Sequence, residues 1–396
     1  MSRKFRFSSR TLVALLALTF SSCGSGGSDD NGSVGSLQSN QCELVNSGYG
    51  PQGSTRLRVE KIATGLRVPW GIAFISRSTF LVTERRGVVR LFTNGSLQAS
   101  PVYTVPDVTA QSESGLLGIT LHPDFSSNRF VYLYYTASRS GGTVNRVVRI
   151  RLSEDFRTAA ADRVIVDGIP AGAFHDGGRI HFGPDGKLYV GTGDGRSPER
   201  SQDNSSLAGK LLRMNDDGGA PGDGQNITGI IGLKGLRNLQ AFDWIDSSTL
   251  VVADHGPTGD TGRSGHDEVS FARLGDNLGW PDVWSCEEES GIRTPFLVFN
   301  QAMPPGGLSY FNGSLIPAWN GSVIVASLGA RHLQRIRINS STLEMVLHEV
   351  YLNGTYGRLR EAIEAPDGSL YVTTSNCDGR GSCGSERDMV LRITQE

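Results

Sequence analysis

One pattern recurs through this chain about every sixty residues, and it limits the possible folds more than any other feature. In each copy an alternating apolar strand meets a turn of the Pro-Asp-Gly type, and further alternating strands follow. The clearest copy is residues 178–190, which read GRIHFGPDGKLYV. The other copies are residues 69–83, 115–135, 239–253, 307–326 and 361–372. The chain is therefore built from similar β units.

Six such units predict an all-β fold, a six-bladed β-propeller of four-stranded antiparallel blades around a central channel. One blade is too small to bury its own apolar face, so residues 55–396 should fold as one domain. The last strand, residues 389–393, should close the ring against N-terminal sequence. The 51 glycines and 16 prolines suit the many turns of this fold. A pair of β-sandwiches is the alternative, but it gives no reason for the repeat.

The N-terminal residues are typical of an export signal. The start of the chain carries four basic residues, which are Arg3, Lys4, Arg6 and Arg10. An apolar run over residues 11–20 follows, and it is too short to be a stable membrane span. The next residues resemble a bacterial lipobox ending at Cys23, with Phe20 where Leu is usual. We therefore predict a signal peptide over residues 1–22 and a lipid anchor on Cys23. A plain signal peptide cleaved nearby is the alternative.

Residues 23–54 are predicted to form a flexible, lipid-anchored tether and an N-terminal arm, because residues 24–40 are rich in Ser, Gly, Asp and Asn. Removal of residues 1–22 leaves 34 basic and 40 acidic side chains, a formal charge of −6. This balance argues against a nucleic-acid partner. The protein is expected in the periplasm or on the cell surface, held to the bacterial membrane only through the lipid on Cys23.

Four further cysteines remain, an even number that favours disulfides in an exported protein. Cys377 and Cys383 flank the glycine-rich stretch over residues 378–381 and are the expected partners. That pairing leaves Cys42 to join the N-terminal arm to Cys286. The spacing of the cysteines does not suggest a zinc site.

In a propeller, chemistry normally lies on loops around the channel mouth, contributed by several blades. His175 precedes a predicted strand in a glycine-rich loop, and Asp194 follows another strand in the run VGTGDG. A histidine can act as a base near pH 7, and a carboxylate can orient it. Taken alone, each residue is more often a loop cap or a turn former than a catalytic group.

Further candidates precede or follow the predicted strands. Arg237 is suited to binding carboxylates or polarised oxygens, and Asn238 follows it, although a solvated surface arginine is the simpler interpretation. Two successive carbonyls at Gly256 and Pro257 suit a hard cation, which takes oxygen ligands. The acidic pair at residues 267–268 comes soon after.

Read in order, these segments resemble the successive signatures of the glucose/sorbosone dehydrogenase family. The resemblance covers essentially the whole predicted domain, and a dozen ordered motifs are far more specific than any one of them. The motifs are Pro69-Trp70-Gly71, Thr83-Glu84-Arg85, Gly115-Leu116-Leu117-Gly118, His122-Pro123-Asp124-Phe125, the His175 loop, Gly193-Asp194, Gly209-Lys210, residues 235–240, His255-Gly256-Pro257, Asp267-Glu268-Val269, Asn277-Leu278-Gly279-Trp280-Pro281 and Arg358-Leu359-Arg360.

The resemblance implies a soluble aldose sugar dehydrogenase that uses pyrroloquinoline quinone (PQQ) bound over a calcium ion, Ca²⁺. His175 would be the general base that removes the proton of the anomeric hydroxyl, and Asp194 would support it. Arg237 would stabilise negative charge on the cofactor. The implied cofactor contacts also include Asn238, Arg358 and Arg360. The implied calcium ligands are the carbonyls of Gly256 and Pro257, and Asp267 and Glu268 match an acidic pair near the cofactor and a second, structural calcium.

Three departures from the family pattern stand out. Glu113 occupies the position of a usual glutamine before Gly-Leu-Leu-Gly, and a carboxylate beside His175 would favour the protonated imidazole. The usual cofactor-binding lysine after Ser-Leu is missing, and Arg331 is the candidate substitute. Residues 258–265 are an insertion between the calcium carbonyls and the acidic pair.

Two other functions remain open at this point. A calcium-dependent hydrolase of the lactonase type is also built on six blades, but it usually holds its metal with Asp, Asn and Glu side chains. A surface binding module without a cofactor is the third interpretation. For the dehydrogenase the expected partners are a small sugar and an unknown electron acceptor, and the protein is expected to be a monomer or a homodimer. The sequence does not identify the sugar.

Overall fold

The computed structural model describes residues 42–260 and 262–396. The predicted signal peptide, the lipid on Cys23 and most of the predicted tether lie outside the described residues. Two strands precede the first repeat: β1 (Glu43–Val45) and β2 (Leu57–Leu66). The rest of the described chain forms six small antiparallel sheets in a ring, so the predicted six-bladed β-propeller is confirmed.

The first two blades follow in chain order. The strands of blade I are β3 (Pro69–Ser76), β4 (Thr79–Glu84), β5 (Val88–Thr93) and β6 (Ser96–Leu97), with the short β7 (Tyr103–Thr104) also paired to β5. The strands of blade II are β8 (Leu116–Leu121), β9 (Phe130–Arg139), β10 (Gly142–Leu152) and β11 (Ala159–Pro170), and the short helix α1 (Phe125–Asn128) connects β8 to β9.

The next two blades carry most of the residues singled out above. The strands of blade III are β12 (Ile180–Phe182), β13 (Leu188–Gly191), β14 (Lys210–Met214) and β15 (Ile231–Lys234), with one 3-10 turn over Pro198–Ser201. The strands of blade IV are β16 (Leu239–Trp244), β17 (Leu250–Asp254), β18 (Asp267–Ala272) and β19 (Leu297–Phe299), and β1 adds a parallel fifth strand beside β19.

The last two blades complete the ring. The strands of blade V are β20 (Pro305–Phe311), β21 (Ser322–Ser327), β22 (Leu333–Ile338) and β23 (Met345–Tyr351), with a second 3-10 turn over Pro317–Trp319. The strands of blade VI are β24 (Leu359–Glu364), β25 (Leu370–Thr374), β26 (Asp388–Gln395) and the N-terminal β2. Because β2 pairs antiparallel with β26, the predicted closure of the ring by the last strand is confirmed.

The repeated turn has the same chemistry in two blades. Asp185 accepts the backbone N–H of Lys187 at 3.0 Å, and Asp367 accepts that of Ser369 at 3.0 Å. An Asp side chain that bonds to the backbone two residues later stabilises a tight turn locally. This is why the Pro-Asp-Gly signature marked the strand junctions in the sequence.

The apolar core lies between adjacent blades. Strands such as β17 and β21 are buried along their whole length, because both faces of a blade pack on a neighbour. At the ring closure Phe80 of blade I packs edge-on against Tyr371 of blade VI, with ring centroids 5.7 Å apart. The ring of blades, rather than any single sheet, is therefore the unit that buries the core.

Both predicted disulfides are present. Cys42 is bonded to Cys286, which fixes the N-terminal arm to blade IV, and Cys377 is bonded to Cys383. Residues 42–54 also contact blade V, where Gln52 forms a parallel bridge with Val350. The predicted boundary between arm and propeller at residue 55 stays a prediction.

A buried ion pair crosses the centre of the ring. Arg179, just before β12, pairs with Glu361 on β24, and both side chains are buried. The guanidinium of Arg179 lies 4.4 Å from the ring centre of Trp70 on β3 and donates to the carbonyl of Gly306 at 3.0 Å. These contacts join four blades beneath the site described next.

Candidate active site

A cavity of about 340 Å³ opens at the end of the ring where the inner strands begin. It is lined by loops from several blades, as expected for a site at a channel mouth. The lining residues that the sequence predicted are Glu113, His175, Arg237, Gly256, Asp267 and Arg358. Among the other lining residues are four basic or aromatic side chains that were not predicted as site residues, which are Phe174, Arg196, His255 and Arg380.

His175 and Asp194 form a buried pair at this cavity. Nδ1 of His175 lies 2.7 Å from Oδ1 of Asp194, and the imidazole is only 6% exposed. An ionised carboxylate only accepts hydrogen bonds, so Nδ1 carries the proton and Nε2 keeps its lone pair. In the described part of the chain, Nε2 has no hydrogen-bond partner. The pair therefore has the geometry of a base oriented by a carboxylate.

The backbone brings these two residues together by a close approach of two loops. A Cβ atom at Gly193 would lie 2.0 Å from the carbonyl oxygen of His175, so only glycine fits beside it. His175 itself has a φ of 64°, an uncommon conformation for a residue with a side chain. Asp176 holds the loop by accepting hydrogen bonds from Asn145 and Ser114, both at 2.9 Å.

The second oxygen of Asp194 is also engaged. The indole Nε1 of Trp280 donates to Oδ2 at 3.0 Å, and the backbone N–H of Arg196 donates to Oδ1 at 2.8 Å. Trp280 belongs to one of the predicted motifs, but its role as a donor to Asp194 was not predicted. The two segments are far apart in sequence, so only the closed ring reveals the contact.

A second imidazole, that of His255, lines the same cavity. Its Nε2 lies 2.7 Å from the carbonyl oxygen of Pro305 and its Nδ1 lies 3.2 Å from Nδ2 of Asn238. Burial lowers the pKa of His255 to about 3, and the charge of Arg237 adds to that shift. Because both ring nitrogens are engaged, His255 has no free lone pair, and His175 is the better candidate base.

Glu113 lies beside His175 but binds its main chain. Oε2 accepts the backbone N–H of His175 at 3.0 Å, and Oε1 pairs with Nη1 of Arg380 at 2.8 Å. Burial alone would raise the pKa of Glu113, but the hydrogen bonds from the backbone of His175 and from Arg380, together with the charge of Arg380, hold it below its ordinary value. Glu113 is therefore ionised, and its effect on proton transfer stays a prediction.

Arg380 reaches the cavity on the loop closed by the Cys377–Cys383 disulfide. Its guanidinium lies 5.4 Å from the ring centre of Phe174. Asp378 in the same loop accepts the backbone N–H of Arg380 and pairs with Arg358, each at 2.9 Å. The Asp378-Gly379-Arg380 sequence between two cysteines is the signal that could have marked this loop as part of the site.

Arg237 lines the cavity, and hydrogen bonds to neighbouring residues fix its guanidinium. Its Nε lies 2.7 Å from Oδ2 of Asp260 and its Nη2 lies 3.2 Å from the carbonyl oxygen of Thr258. The guanidinium also lies 5.6 Å from a ring centre of Trp280. Asp260 and Thr258 belong to the insertion at residues 258–265, so that insertion is part of the site.

The other predicted cofactor residues differ in position. Asn238 is fully buried behind the cavity wall, where its side chain accepts the backbone N–H of Gly177 at 3.0 Å. Arg360 is buried at the channel, 5.5 Å from the ring centre of Trp70, and burial lowers its pKa to about 9. Arg331 is not brought to the cavity, because it lies exposed in the β21–β22 turn with a φ of 61°.

Two buried carboxylates hold the backbone of two loops at the cavity, that of Arg237 and that of Gly256 and Pro257. Asp254 accepts the backbone N–H of Arg237 at 2.7 Å, and Asp267 accepts that of Gly256 at 2.9 Å. Burial raises the pKa of Asp254 and of Asp267 to about 6, although these backbone bonds oppose the shift. Asp267 therefore acts on the loop backbone in this structure.

Glu268 faces a small void of about 10 Å³, which is lined also by Pro257 and Leu278. Its carboxylate makes no hydrogen bond to any residue that the structure describes. Burial raises the pKa of Glu268 well above its ordinary value, and the charges of Asp254 and Asp267 raise it further. A void of this size holds about one water molecule or ion.

Two kinds of feature are absent from the described residues. Within residues 42–260 and 262–396, three or more His, Cys, Asp or Glu side chains are nowhere grouped so that they could hold a metal ion. Over the same residues the structure contains no helix with the length and apolar character needed to cross a membrane.

The sequence of the propeller matches a known family. The family profile described as glucose/sorbosone dehydrogenase matches residues 66–386, which is most of the chain. The chain belongs to the glucose/sorbosone dehydrogenase family, and the predicted resemblance and the predicted class of enzyme, a sugar dehydrogenase, are confirmed.

Individual relatives agree with this assignment. The PQQ-bound form of the aldose sugar dehydrogenase from Streptomyces coelicolor is 33% identical with a TM-score of 0.76, over 88% of this chain and 100% of that one. The aldose sugar dehydrogenase of Escherichia coli strain K12 is 28% identical over 82% of this chain and 91% of its own length. Quinoprotein glucose dehydrogenase B of Acinetobacter calcoaceticus is 28% identical over 58% of this chain and 53% of its own length.

Proposed function

We propose that this protein oxidises the anomeric hydroxyl of soluble aldose sugars to lactones, with PQQ bound over a calcium ion as the hydride acceptor. The observation that carries the proposal is the His175–Asp194 pair, at 2.7 Å, inside an arginine-lined cavity. The PQQ-bound and quinoprotein relatives support the choice of cofactor.

The cavity has the charge and shape that an acidic, planar cofactor needs. Arg196, Arg237, Arg358 and Arg380 lie around it, and Phe174 and Leu328 supply apolar surface. Its volume of about 340 Å³ is within the range usual for small-molecule sites. Arg360 lies behind the cavity. Burial, and then the positive charges of Arg85 and Arg358, lower the pKa of Arg360 to about 9, although the charge of Asp378 opposes this shift. A bound anion would therefore be favoured here.

The residues proposed to hold the cofactor follow from these positions. Arg237, Arg358 and Arg360 are the proposed partners of its negatively charged groups, with Asn238 fixing the wall beside Arg237. Arg331 is left out because it is exposed, and Arg380 is proposed in its place because it lines the cavity. The carbonyls of Gly256 and Pro257 are the proposed ligands of the cofactor's calcium.

In the proposed reaction His175 acts as the general base. Its Nε2 takes the proton of the anomeric hydroxyl, while Nδ1 donates to Asp194 and keeps the ring in the required tautomer. Loss of this proton lets the anomeric C–H bond break with its electron pair as the C=O bond of the lactone forms. When bound, the quinone supplies the acceptor for that hydride.

Arg237 contributes fixed positive charge at the cavity wall. Its Nε and Nη2 are bonded to Asp260, so the guanidinium is held before any substrate arrives. Donors that are already oriented stabilise developing negative charge without reorganisation. His255 stays neutral, so it places no additional positive charge near His175.

A second, structural calcium is proposed at Glu268. The support is the carboxylate without a hydrogen-bond partner in the described structure, its raised pKa, and the void of about 10 Å³ beside Pro257 and Leu278. A divalent cation bound there would offset the buried negative charge of Glu268. Oxygen ligands from a carboxylate and from backbone carbonyls suit calcium.

The proposed location is outside the cytoplasm. Both disulfides, Cys42–Cys286 and Cys377–Cys383, suit an exported protein. We propose residues 1–22 as signal peptide, Cys23 as lipid acceptor, residues 23–54 as tether and arm, and residues 55–396 as the catalytic domain. A Cys23→Ser variant should move from the membrane fraction to the soluble periplasmic fraction, and a wild-type protein already soluble there would contradict the anchor.

The test of the function is reconstitution. Purified protein is mixed with PQQ and calcium, and reduction of an artificial dye is followed with a panel of aldoses and, as control, the matching sugar alcohols. We expect dye reduction with aldoses only, and a lactone as product. Binding of PQQ without oxidation of any aldose, or no binding of PQQ, would contradict the proposal and favour the lactonase-type hydrolase or the binding module.

A further inference from the structure

The insertion at residues 258–265 places a buried carboxylate between two arginines. Oδ1 of Asp260 lies 2.8 Å from Nη1 of Arg196, and Oδ2 lies 2.7 Å from Nε and 2.6 Å from Nη2 of Arg237. The Asp260 and Arg237 side chains are only 10% and 4% exposed, so this pair is shielded from water, whereas Arg196 is 45% exposed. One carboxylate is thus shared between two guanidinium groups at the cavity.

The loop is closed on itself in a way that fixes the Asp260 carboxylate. The backbone N–H of Asp260 donates to the carbonyl of Pro257 at 2.8 Å, and the backbone N–H of Arg263 donates to the carbonyl of Asp260 at 2.9 Å. The backbone N–H of Gly265 donates to Oγ1 of Thr258 at 2.8 Å. The position of Asp260 is therefore fixed by the hydrogen bonds of its own backbone as well as by the ion pairs of its carboxylate.

The same contacts lead to the proposed base. Arg196 donates its backbone N–H to Asp194 at 2.8 Å and its side chain to Asp260. Trp280 donates its indole N–H to Asp194 at 3.0 Å, and its ring lies under the guanidinium of Arg237. Asp194, Arg196, Asp260, Arg237 and Trp280 thus form a closed ring of contacts. Asp260 is the only link in it that comes from the insertion.

We propose that Asp260 is a positioning residue, which orients Arg237 toward the cofactor. The inference rests on the proposed function. Asp260 occupies the Nε and Nη2 side of Arg237, and within the described residues Nη1 has no hydrogen-bond partner. A planar guanidinium fixed along one edge has its remaining donors aimed in one direction. The insertion therefore supplies orientation that the arginine alone lacks.

The test compares Asp260→Ala and Asp260→Asn with wild type and with Asp367→Asn. Asp367 is the matched control, because it is a carboxylate paired with Arg392 at 2.8 Å in a turn of blade VI, away from the cavity. The dissociation constant for PQQ is measured by quenching of tryptophan fluorescence, and kcat is measured with an aldose. Asp260→Ala should lower kcat by up to about 10²-fold, the scale of a misplaced catalytic group, and weaken PQQ binding. Asp260→Asn should lose less, since one oxygen remains to accept.

A double-mutant cycle separates positioning from a general structural role. In an Arg237→Ala background, Asp260→Ala should change neither kcat nor the dissociation constant further, because Asp260 acts through Arg237. A further loss in the Arg237→Ala background would overturn this inference but not the proposed function. The same holds if Asp260→Ala has no larger effect than Asp367→Asn. Tighter PQQ binding by Asp260→Ala would also overturn it, since the loop would then compete with the cofactor. A wild-type protein that fails to oxidise any aldose would overturn the proposed function, and this inference with it.

Discussion

Nδ1 of His175 lies 2.7 Å from Oδ1 of Asp194, and that carboxylate also accepts the N–H groups of Arg196 and Trp280. Asp194 is thus held by two neutral donors, the backbone N–H of Arg196 in its own loop and the indole N–H of Trp280 from another blade. Its remaining acceptor capacity is directed at the imidazole. The tautomer of His175 is fixed by a carboxylate that cannot rotate away.

Asp194→Asn should lower turnover by about 10²- to 10⁴-fold, the range for a disabled general base. An amide can donate to Nδ1, which would move the imidazole proton to Nε2 and block proton uptake. Trp280→Phe is the milder comparison, because it removes only one donor to Asp194 and should cost about tenfold. The measurement is kcat with an aldose alongside the PQQ dissociation constant. Wild-type turnover in Asp194→Asn would contradict the assigned tautomer.

Chelation of calcium should lower the Tm, because an ion that binds only the folded state stabilises it, by about 3 kcal/mol at a hundredfold excess over its Kd. In protein measured without PQQ, so that the cofactor's calcium is not bound, Glu268→Gln should abolish the difference between calcium and chelator. In chelator this variant should melt above wild type, since it removes a buried carboxylate whose raised pKa disfavours its ionised form at neutral pH. Glu344→Gln, at an exposed position, is the control. Equal melting of the wild type in calcium and in chelator would argue against this ion.

His181 should make the protein sensitive to mild acid. It lines a cavity of about 410 Å³ at the other end of the inner strands, and burial, then the charge of Arg179, lower its pKa to about 3. An unfolded histidine titrates near 6.5, so between about pH 6.5 and pH 3 the unfolded chain binds a proton that the folded chain does not. Stability is therefore lost as pH falls, by about 2 kcal/mol for this group between pH 7 and pH 5.

The check on His181 is thermal unfolding of wild type and His181→Gln at pH 7 and pH 5. The variant should lose less of its free energy of unfolding on acidification than the wild type does. Equal losses in the two proteins would show that this histidine does not titrate on unfolding.

The two disulfides should differ in their effect on stability. Cys42 and Cys286 are separated by 244 residues and Cys377 and Cys383 by 6, so the first closes a far longer loop in the unfolded chain. On the chain-entropy argument their loss costs roughly 5 and roughly 2 kcal/mol respectively. Paired Cys→Ser variants measured by denaturant unfolding should show that order. The reverse order would mean that native contacts of the Arg380 loop, rather than loop length, set the stabilisation.

The parts of the fold that follow from local pattern were predictable from the sequence. The Pro-Asp-Gly turns at Asp185 and Asp367 depend on bonds to residues two positions later, so each copy of the repeat carries its own signal. The pairing of His175 with Asp194 was implied by the family resemblance, because each residue alone indicated only a loop beside a strand. The closure of the ring was predicted from the last strand, residues 389–393, which was expected to pair with N-terminal sequence.

Contacts between distant loops were not predictable in the same way. Trp280 reaches Asp194 from another blade, and no local pattern records that distance. Arg331 was expected at the cofactor from its place in a motif, but a tight turn with left-handed backbone at that residue leaves it exposed. Arg380 lines the cavity because a disulfide loop of blade VI folds toward Phe174. Asp260 lies in an insertion, where the family pattern gives no guidance.

The most direct test of the account is a single turnover of His175→Ala. The variant and the wild type are loaded with PQQ and calcium, mixed rapidly with an aldose, and the absorbance of the bound quinone is followed as it is reduced. His348→Ala, on the outer strand β23, is the matched control. His175→Ala should bind PQQ with an unchanged dissociation constant but reduce it about 10²- to 10⁴-fold more slowly than wild type. Reduction of the quinone by His175→Ala at the wild-type rate would contradict the role of His175 as the base.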